Sequence, residues 1–171
     1  MSRGGSLADV AKKAAAVGTP ATVALTRAGV TFRVHSFEPD PKSESYGLAA
    51  AAALGAVPAR VFKTLVADLD GHLVVAIVPV SGQLDLKALA TALGGKKAAM
   101  AEQADAERSS GYVVGGISPI GQRKRLATVV DASAFEYETV FVSAGRRGSD
   151  LELAPVDLAS VTQATVASVA R

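Results

Sequence analysis

The sequence has no cysteine and only two histidines, His35 and His72. Without cysteine the chain cannot form disulfides, thiolate metal sites or a cysteine nucleophile, and it fits a reducing compartment such as the cytosol. Two histidines argue against a histidine-built zinc site, and Asp68 and Asp70 are followed by no further carboxylates at calcium-loop spacing. The sequence therefore predicts no metal and no cofactor.

Long hydrophobic runs are also missing. The longest apolar stretches, LAAAAALGAV and HLVVAIVPV, are shorter than the roughly 20 residues that a membrane helix needs. The first residues lack the apolar core of a signal peptide. We therefore expect no membrane attachment and a cytoplasmic location.

The composition is that of one folded domain. The 171 residues are 49% hydrophobic and 20% charged, which is enough apolar material for a sizeable core. The net charge is only +2, so any binding of anions has to come from local clusters of the 18 lysines and arginines.

Caps, glycine stops and alternating apolar residues predict a mixed α/β domain. Helices are predicted over 6–17, 20–28, 47–54, 86–93, 102–108 and 155–170. Strands are predicted over 30–37, 111–116, 126–131, 138–145 and 151–154, with a hairpin over 59–80 that turns at Asp70-Gly71. Because no regular βαβ rhythm or repeat is present, we expect substantial antiparallel pairing. Residues 1–18 read as a weakly anchored N-terminal extension of a domain over 19–171.

The stretch SSGYVVGGISPIGQRKRLATVV, residues 109–130, contains four glycines and a proline before three consecutive cations. The pattern predicts a loop that receives an anionic ligand, although glycine-rich segments also form simple turns. Its GISPIG segment has the glycine spacing of a phosphate-binding loop, but Gln122 and Arg123 stand where lysine and serine or threonine are required. A strand rather than a helix is predicted to follow, so ATP or GTP hydrolysis is excluded.

Lys63 and the segment VSAGRRGSDLELA are the other candidates for chemistry. Lys63 shares one face of a predicted strand with Val61 and Leu65, where an ammonium is costly unless it reaches solvent, a carboxylate or an anionic ligand. Pattern alone favours a lysine that snorkels from an edge strand over a fixed cation in a pocket wall. Composition likewise slightly favours a solvated turn at 145–148 over a polar substrate site, and no Ser-His-Asp triad is evident.

Several segments together resemble the YbaK/EbsC family of aminoacyl-tRNA editing proteins. They occur in consistent order from Thr19 to the C-terminal helix: HSFEPDP, VFKTLV, PVSGQLDLK, GYVVGGISPIGQRKR and VSAGRRGSDLELA. The resemblance implies a single mixed α+β domain, with a curved, mostly antiparallel, barrel-like sheet surrounded by helices. It also implies a cleft for the 3′ acceptor end of a mischarged tRNA, and removal of Cys from Cys-tRNA(Pro) by attack of the substrate's own thiol on its ester.

The resemblance also implies the site residues. Catalytic roles are implied for Lys63, Gly115 and Asp150. Substrate binding is implied for Phe37, Tyr46, Gly116, Ile117, Ser118 and Ser143. The cations expected to meet tRNA phosphates are Arg123, Lys124, Arg125, Arg146 and Arg147. Phe37 stands where similar sequences have tyrosine, so its ring can pack but cannot donate a hydrogen bond.

Two alternatives to this activity stay open. The chain could hydrolyse Ala-tRNA(Pro) or another mischarged tRNA with water as the nucleophile, because pocket size cannot be read from the sequence. It could also be a non-catalytic module that binds tRNA or assists a synthetase. The resemblance suggests prolyl-tRNA synthetase as a partner that helps to read the tRNA, since a small domain with little net charge has little surface for reading a whole tRNA.

Overall fold

The computed structural model describes residues 18–40, 42 and 45–171. The helix predicted over 6–17 lies outside this part of the chain. The division into an extension over 1–18 and a domain over 19–171 accordingly stays a prediction.

Five α-helices occur in the described part, and local capping explains where three of them begin. The Thr19 and Ser45 hydroxyls and the Asp85 carboxylate each accept a hydrogen bond from a backbone N–H of the first turn. Pro20 occupies the first position of its helix, where no N–H is needed. The helices are α1 (Pro20–Arg27), α2 (Tyr46–Leu54), α3 (Leu86–Ala92), α4 (Gln103–Ser110) and α5 (Pro155–Thr162).

The strands form two sheets. They are β1 (Phe32–Ser36), β2 (Phe62–Leu69), β3 (His72–Pro79), β4 (Ala98–Met100), β5 (Thr128–Asp131), β6 (Val140–Arg146), β7 (Ser149–Leu153) and β8 (Thr165–Ala167). The smaller sheet has the order β1-β7-β6 and is antiparallel, and the larger one has the order β4-β2-β3-β5-β8. In the larger sheet β5 runs parallel to β3 and β8, whereas β2 runs antiparallel to β3 and β4.

The predicted hairpin is confirmed as β2 and β3. Asp70 and Gly71 have φ angles of 52° and 90°, as the predicted two-residue turn requires. The Asp70 carboxylate accepts hydrogen bonds from the N–H groups of Lys96 and Lys97, at 2.8 and 2.9 Å, so the turn also anchors the chain before β4.

The two sheets meet where β2 and β6 begin. A parallel bridge joins Val61 to Phe141, and the main apolar core lies beside it, with Leu25, Ile77 and Leu151 fully buried. The predicted mixed α+β class with mostly antiparallel pairing is therefore confirmed. In the described residues the sheets are linked by this bridge rather than by a continuous ladder around a barrel.

Two element predictions are wrong. Residues 111–116 form a loop instead of a strand, because Gly111 and Gly115 have left-handed φ angles and the Tyr112 hydroxyl donates to the Ile120 carbonyl at 2.7 Å. The closing helix ends at Thr162 instead of continuing to residue 170, and β-branched Thr165 and Val166 add a strand beside β5.

Across the described ranges, no helix is both long and apolar enough to cross a bilayer.

Candidate active site

A cavity of about 390 Å³ opens between the two sheets. Its wall is built from β2, the first turns of α2 and α4, the 114–117 segment and the β6–β7 hairpin. Such a volume lies within the range of small-molecule binding pockets.

Strand register explains why Lys63, Ser143 and Asp150 share this cavity. From the parallel bridge between Val61 and Phe141, Lys63 and Ser143 are each two residues further along, so both lie on the same face. Ser143 is in turn the cross-strand partner of Asp150 in the β6–β7 pair. Within the described ranges, pairing between β2 and β6 ends at the bridge, which leaves a gap lined by these three side chains.

Lys63 is a partly buried cation in the wall of the cavity. Burial lowers the pKa of its ammonium below the ordinary value. Its Nζ donates a hydrogen bond to the Gly82 carbonyl oxygen at 3.0 Å. Since an ammonium has three donors, this bond fixes its position and leaves donors for a ligand. Of the two interpretations of Lys63, the structure favours the cation in a pocket wall.

Asp150 is a buried acid that also lines the cavity, with only 7% of its surface exposed. Burial raises the pKa of its carboxyl group to about 6, and the adjacent His35 offsets part of that effect. His35 is the cross-strand partner of Asp150 in β1, and its Nε2 lies 2.8 Å from Oε1 of Glu152. Asp150 can therefore exchange a proton near neutral pH.

The glycine loop packs against the β6–β7 turn. Gly115 lines the cavity at φ +89°, and a Cβ there would lie 2.7 Å from Nε of Arg147. A Cβ on Gly116 would lie 2.7 Å from Cα of Arg146, so at this position glycine permits backbone to pack on backbone. The Gly116 N–H donates to the Val113 carbonyl at 2.9 Å. Among the described residues the N–H of Gly115 has no acceptor, so this group is available to a ligand oxygen.

Arg147 and Tyr46 lie together at the mouth of the cavity. The Arg147 guanidinium is 5.0 Å from the centre of the Tyr46 ring, and its Nε donates to the Val114 carbonyl at 2.9 Å. Tyr46 is 44% exposed. The two side chains connect the glycine loop, the β6–β7 turn and α2.

The predicted site residues divide into two groups. The cavity is lined by Phe37, Tyr46, Lys63, Gly115, Ile117, Ser143, Arg147 and Asp150. The residues outside its wall are Gly116, Ser118, Arg123, Lys124, Arg125 and Arg146. Ser118 is fully buried, and its hydroxyl accepts a hydrogen bond from the Ile120 N–H at 3.3 Å. The three consecutive cations are exposed. The functional roles of both groups stay predictions.

A polar network beside the cavity is not predicted from the sequence, in which the two histidines were considered only as zinc ligands. Glu152 lies 2.8 Å from His35 and 3.1 Å from Nη2 of Arg60, and it accepts a hydrogen bond from Thr139 at 2.6 Å. The Arg60 guanidinium also lies 4.9 Å from the centre of the Phe141 ring. Alternation in β1 and β7 places His35 and Glu152 on the face of Asp150, and that alternation was the available signal.

The described residues contain no group of three or more histidine, aspartate or glutamate side chains that could hold a metal ion.

Comparison with known proteins identifies the family. The model of the aminoacyl-tRNA editing domain family matches residues 43–161. A protein of Enterococcus faecalis, described as a candidate Cys-tRNA(Pro)/Cys-tRNA(Cys) deacylase, EbsC, is 43% identical over 121 residues, 70% of this chain and 73% of the relative. The multifunctional Ser/Thr-tRNA deacylase ProXp-y of Escherichia coli K12 is 30% identical over 141 residues, 81% of this chain and 84% of the relative.

Solved structures agree on the fold. The crystal structure of a candidate trans-editing enzyme for prolyl-tRNA synthetase has a TM-score of 0.79 at 23% identity, and the match covers 89% of this chain and 95% of that one. The crystal structure of the hypothetical protein APE2540 has the same TM-score at 24% identity, over 90% and 100% of the two chains. The chain belongs to the YbaK/EbsC family of aminoacyl-tRNA editing domains.

Proposed function

We propose that this protein is a trans-editing deacylase that removes cysteine from mischarged tRNA(Pro). The observation that carries the proposal is the cavity that the Lys63 ammonium and the Asp150 carboxyl group both line, together with Gly115, whose N–H has no acceptor among the described residues. The name of the E. faecalis relative gives the same substrate class.

The reaction begins with the thiol of the bound cysteine. Above pH about 6 Asp150 is a carboxylate, and it accepts the thiol proton. The sulfur attacks the ester carbonyl carbon, and the carbonyl oxygen takes the negative charge. Because the substrate supplies the nucleophile, a chain without cysteine can perform this chemistry with no nucleophile of its own.

Lys63 and the Gly115 N–H stabilise the charge on that oxygen. The bond between the carbonyl carbon and the ribose oxygen then breaks, and Asp150 returns its proton to the ribose oxygen. The products are free tRNA and cysteine thiolactone, which water opens to cysteine.

Two regions bind the tRNA, one at the mouth of the cavity and one on the exposed surface outside it. Arg147 stacks on Tyr46 at the mouth, where a phosphate or base of the 3′ end can reach both. The exposed cluster Arg123–Arg125 lies outside the cavity wall and serves phosphates further along the acceptor stem. Prolyl-tRNA synthetase is proposed to contribute tRNA identity.

A second candidate is water-dependent removal of another amino acid. The E. coli relative is named as a Ser/Thr-tRNA deacylase, and Leu65, Val66 and Ala106 give this cavity an apolar lining without a thiol-specific group. A small side chain without sulfur could occupy the same volume, with Asp150 activating a water molecule.

The test is release of amino acid from Cys-tRNA(Pro), Ser-tRNA(Pro), Ala-tRNA(Pro) and Pro-tRNA(Pro) by the purified protein. We expect rapid loss of cysteine and little loss of the other three. Rapid loss of serine or alanine moves the assignment to water-dependent hydrolysis. No release from any of the four substrates refutes the deacylase and leaves a tRNA-binding module.

A further inference from the structure

The Gly82 carbonyl that holds the Lys63 ammonium lies in the turn after β3. The Gly82 N–H closes this turn by donating to the Pro79 carbonyl at 3.1 Å. Its carbonyl oxygen accepts from Nζ of Lys63 at 3.0 Å. The position of the turn therefore sets the position of the ammonium.

Backbone hydrogen bonds join the segment 169–171 to this turn. The N–H groups of Gln83 and Arg171 each donate to the carbonyl of the other residue at 2.9 Å, and the Asp85 N–H donates to the Val169 carbonyl at 2.7 Å. A Cβ on Gly82 would lie 3.0 Å from the Arg171 carbonyl oxygen, so the two pieces of backbone are in close contact.

Asp131, at the end of β5, holds the segment in turn. Its Oδ1 accepts hydrogen bonds from the N–H groups of Val169 and Ala170 at 2.8 and 3.0 Å. Asp131 is 5% exposed, and burial would raise the pKa of its carboxyl group. Hydrogen bonds from Ser133, Val169 and Ala170 outweigh that effect and hold the pKa below its usual range, so the acceptor is a carboxylate at neutral pH.

We propose that Asp131 is a positioning residue for Lys63. It fixes the segment 169–171, the segment fixes the Gly82 turn, and the Gly82 carbonyl holds the Lys63 ammonium at the cavity. The role of this connection in catalysis rests on the proposed function.

The charged groups around Lys63 do not by themselves explain a change in the Lys63 pKa when Asp131 is replaced. Asp40, Arg147 and Asp150 share the cavity wall with it, α2 contributes no charged side chain, and β3 contributes only His72 at its far end. Asp131→Ala and Asp131→Asn remove the same charge, but only asparagine keeps an oxygen acceptor for the two N–H groups. Any difference between these variants is therefore not caused by the lost charge.

The experiment titrates the Lys63 ammonium by heteronuclear NMR in the full chain, assigned with Lys63→Arg, for wild type and both variants. In Asp131→Ala we expect the Lys63 pKa to fall below its wild-type value, because the displaced carbonyl no longer stabilises the charged form. Asp131→Asn should keep the wild-type pKa. For cysteine release from Cys-tRNA(Pro), kcat should fall at least tenfold in Asp131→Ala, with KM changed less than twofold, and recover in Asp131→Asn.

A purely structural role of Asp131 would reduce the folded fraction without moving the Lys63 titration. An unchanged Lys63 pKa in Asp131→Ala, or equal losses of kcat in the two variants, overturns the proposal. If Asp131→Ala does not fold, Gly82→Ala tests the next contact, because its Cβ would lie 3.0 Å from the Arg171 carbonyl oxygen and push the turn and the segment 169–171 apart. An unchanged Lys63 pKa in that variant also overturns the proposal. The titration needs no substrate, so it tests the role of Asp131 independently of the deacylase activity. If wild type releases no amino acid, the proposed deacylase is refuted, and the titration still decides whether Asp131 positions Lys63.

Discussion

Replacing Asp150 by asparagine should make the protein more stable and less active. The buried carboxyl group has its pKa raised from 3.8 to about 6, and each tenfold change in proton affinity is about 1.4 kcal/mol. The folded protein binds this proton more tightly than the unfolded chain between pH about 4 and about 6. The free energy of unfolding therefore falls as pH rises through that window, by about 3 kcal/mol.

Asparagine has nearly the same shape and carries no charge at any pH. The free energy of unfolding of Asp150→Asn therefore does not fall over this pH range. We expect its advantage over wild type in unfolding free energy to grow by about 3 kcal/mol between pH 4 and pH 7.5. Release of cysteine should fall strongly, because the amide cannot accept the thiol proton. The assay is urea unfolding of both proteins at several pH values, alongside deacylation at pH 7.5.

Asp131→Asn is the matched control, since hydrogen bonds hold the Asp131 pKa below its usual range. When folding lowers the pKa of an aspartate, its carboxylate stabilises the fold at pH values above the unfolded pKa. This stabilisation is lost as pH falls through the folded pKa. The free energy of unfolding of Asp131→Asn should therefore fall further below that of wild type as pH rises, whereas that of Asp150→Asn should rise further above it. A stability difference for Asp150→Asn that is independent of pH would show that the carboxyl group is not buried as described.

The remaining predictions concern the tRNA surface, the glycine loop and pH. Replacing Arg123, Lys124 and Arg125 by glutamine should lower the slope of log affinity against log salt by about 0.9 for each duplex phosphate that the cluster neutralises, measured by tRNA titration. An unchanged slope would make the cluster an ordinary solvated surface. Gly116→Ala should lower the free energy of unfolding by about 1 to 3 kcal/mol, because the Arg146 backbone must move, and an unchanged melting temperature would refute that packing. In wild type, kcat/KM for cysteine release should fall as pH drops through about 6, where Asp150 becomes protonated, and a flat profile from pH 5 to 8 would remove Asp150 as the base.

Local chemistry made much of the fold predictable. The Thr19-Pro20 start of α1, the Asp85 cap of α3 and the Asp70-Gly71 turn each act within a few residues, so the sequence pattern is sufficient to place them. The loop at 111–116 and β8 were mispredicted because contacts outside each segment help to decide them, and in the loop the left-handed φ angles of Gly111 and Gly115 also break the strand. The Tyr112 hydroxyl bonds to Ile120, and Thr165 and Val166 pair with β5.

The candidate site was likewise predictable only in part. Motif resemblance named Lys63, Ser143 and Asp150, and the strand register explains why they meet at one cavity. Resemblance did not separate Arg146 from Arg147, although the turn directs only Arg147 to the cavity wall. The Gly82 carbonyl could not be found from sequence, because a backbone acceptor leaves no residue pattern.

The most direct test of the proposed activity is cysteine release from Cys-tRNA(Pro) by wild type and by Lys63→Ala, with Pro-tRNA(Pro) as the control substrate. Circular dichroism would check that both proteins are folded. We expect fast release by wild type, at least a hundredfold slower release by the folded variant, and intact Pro-tRNA(Pro) with both. Release by Lys63→Ala at the wild-type rate would contradict the assignment of Lys63 to the reaction.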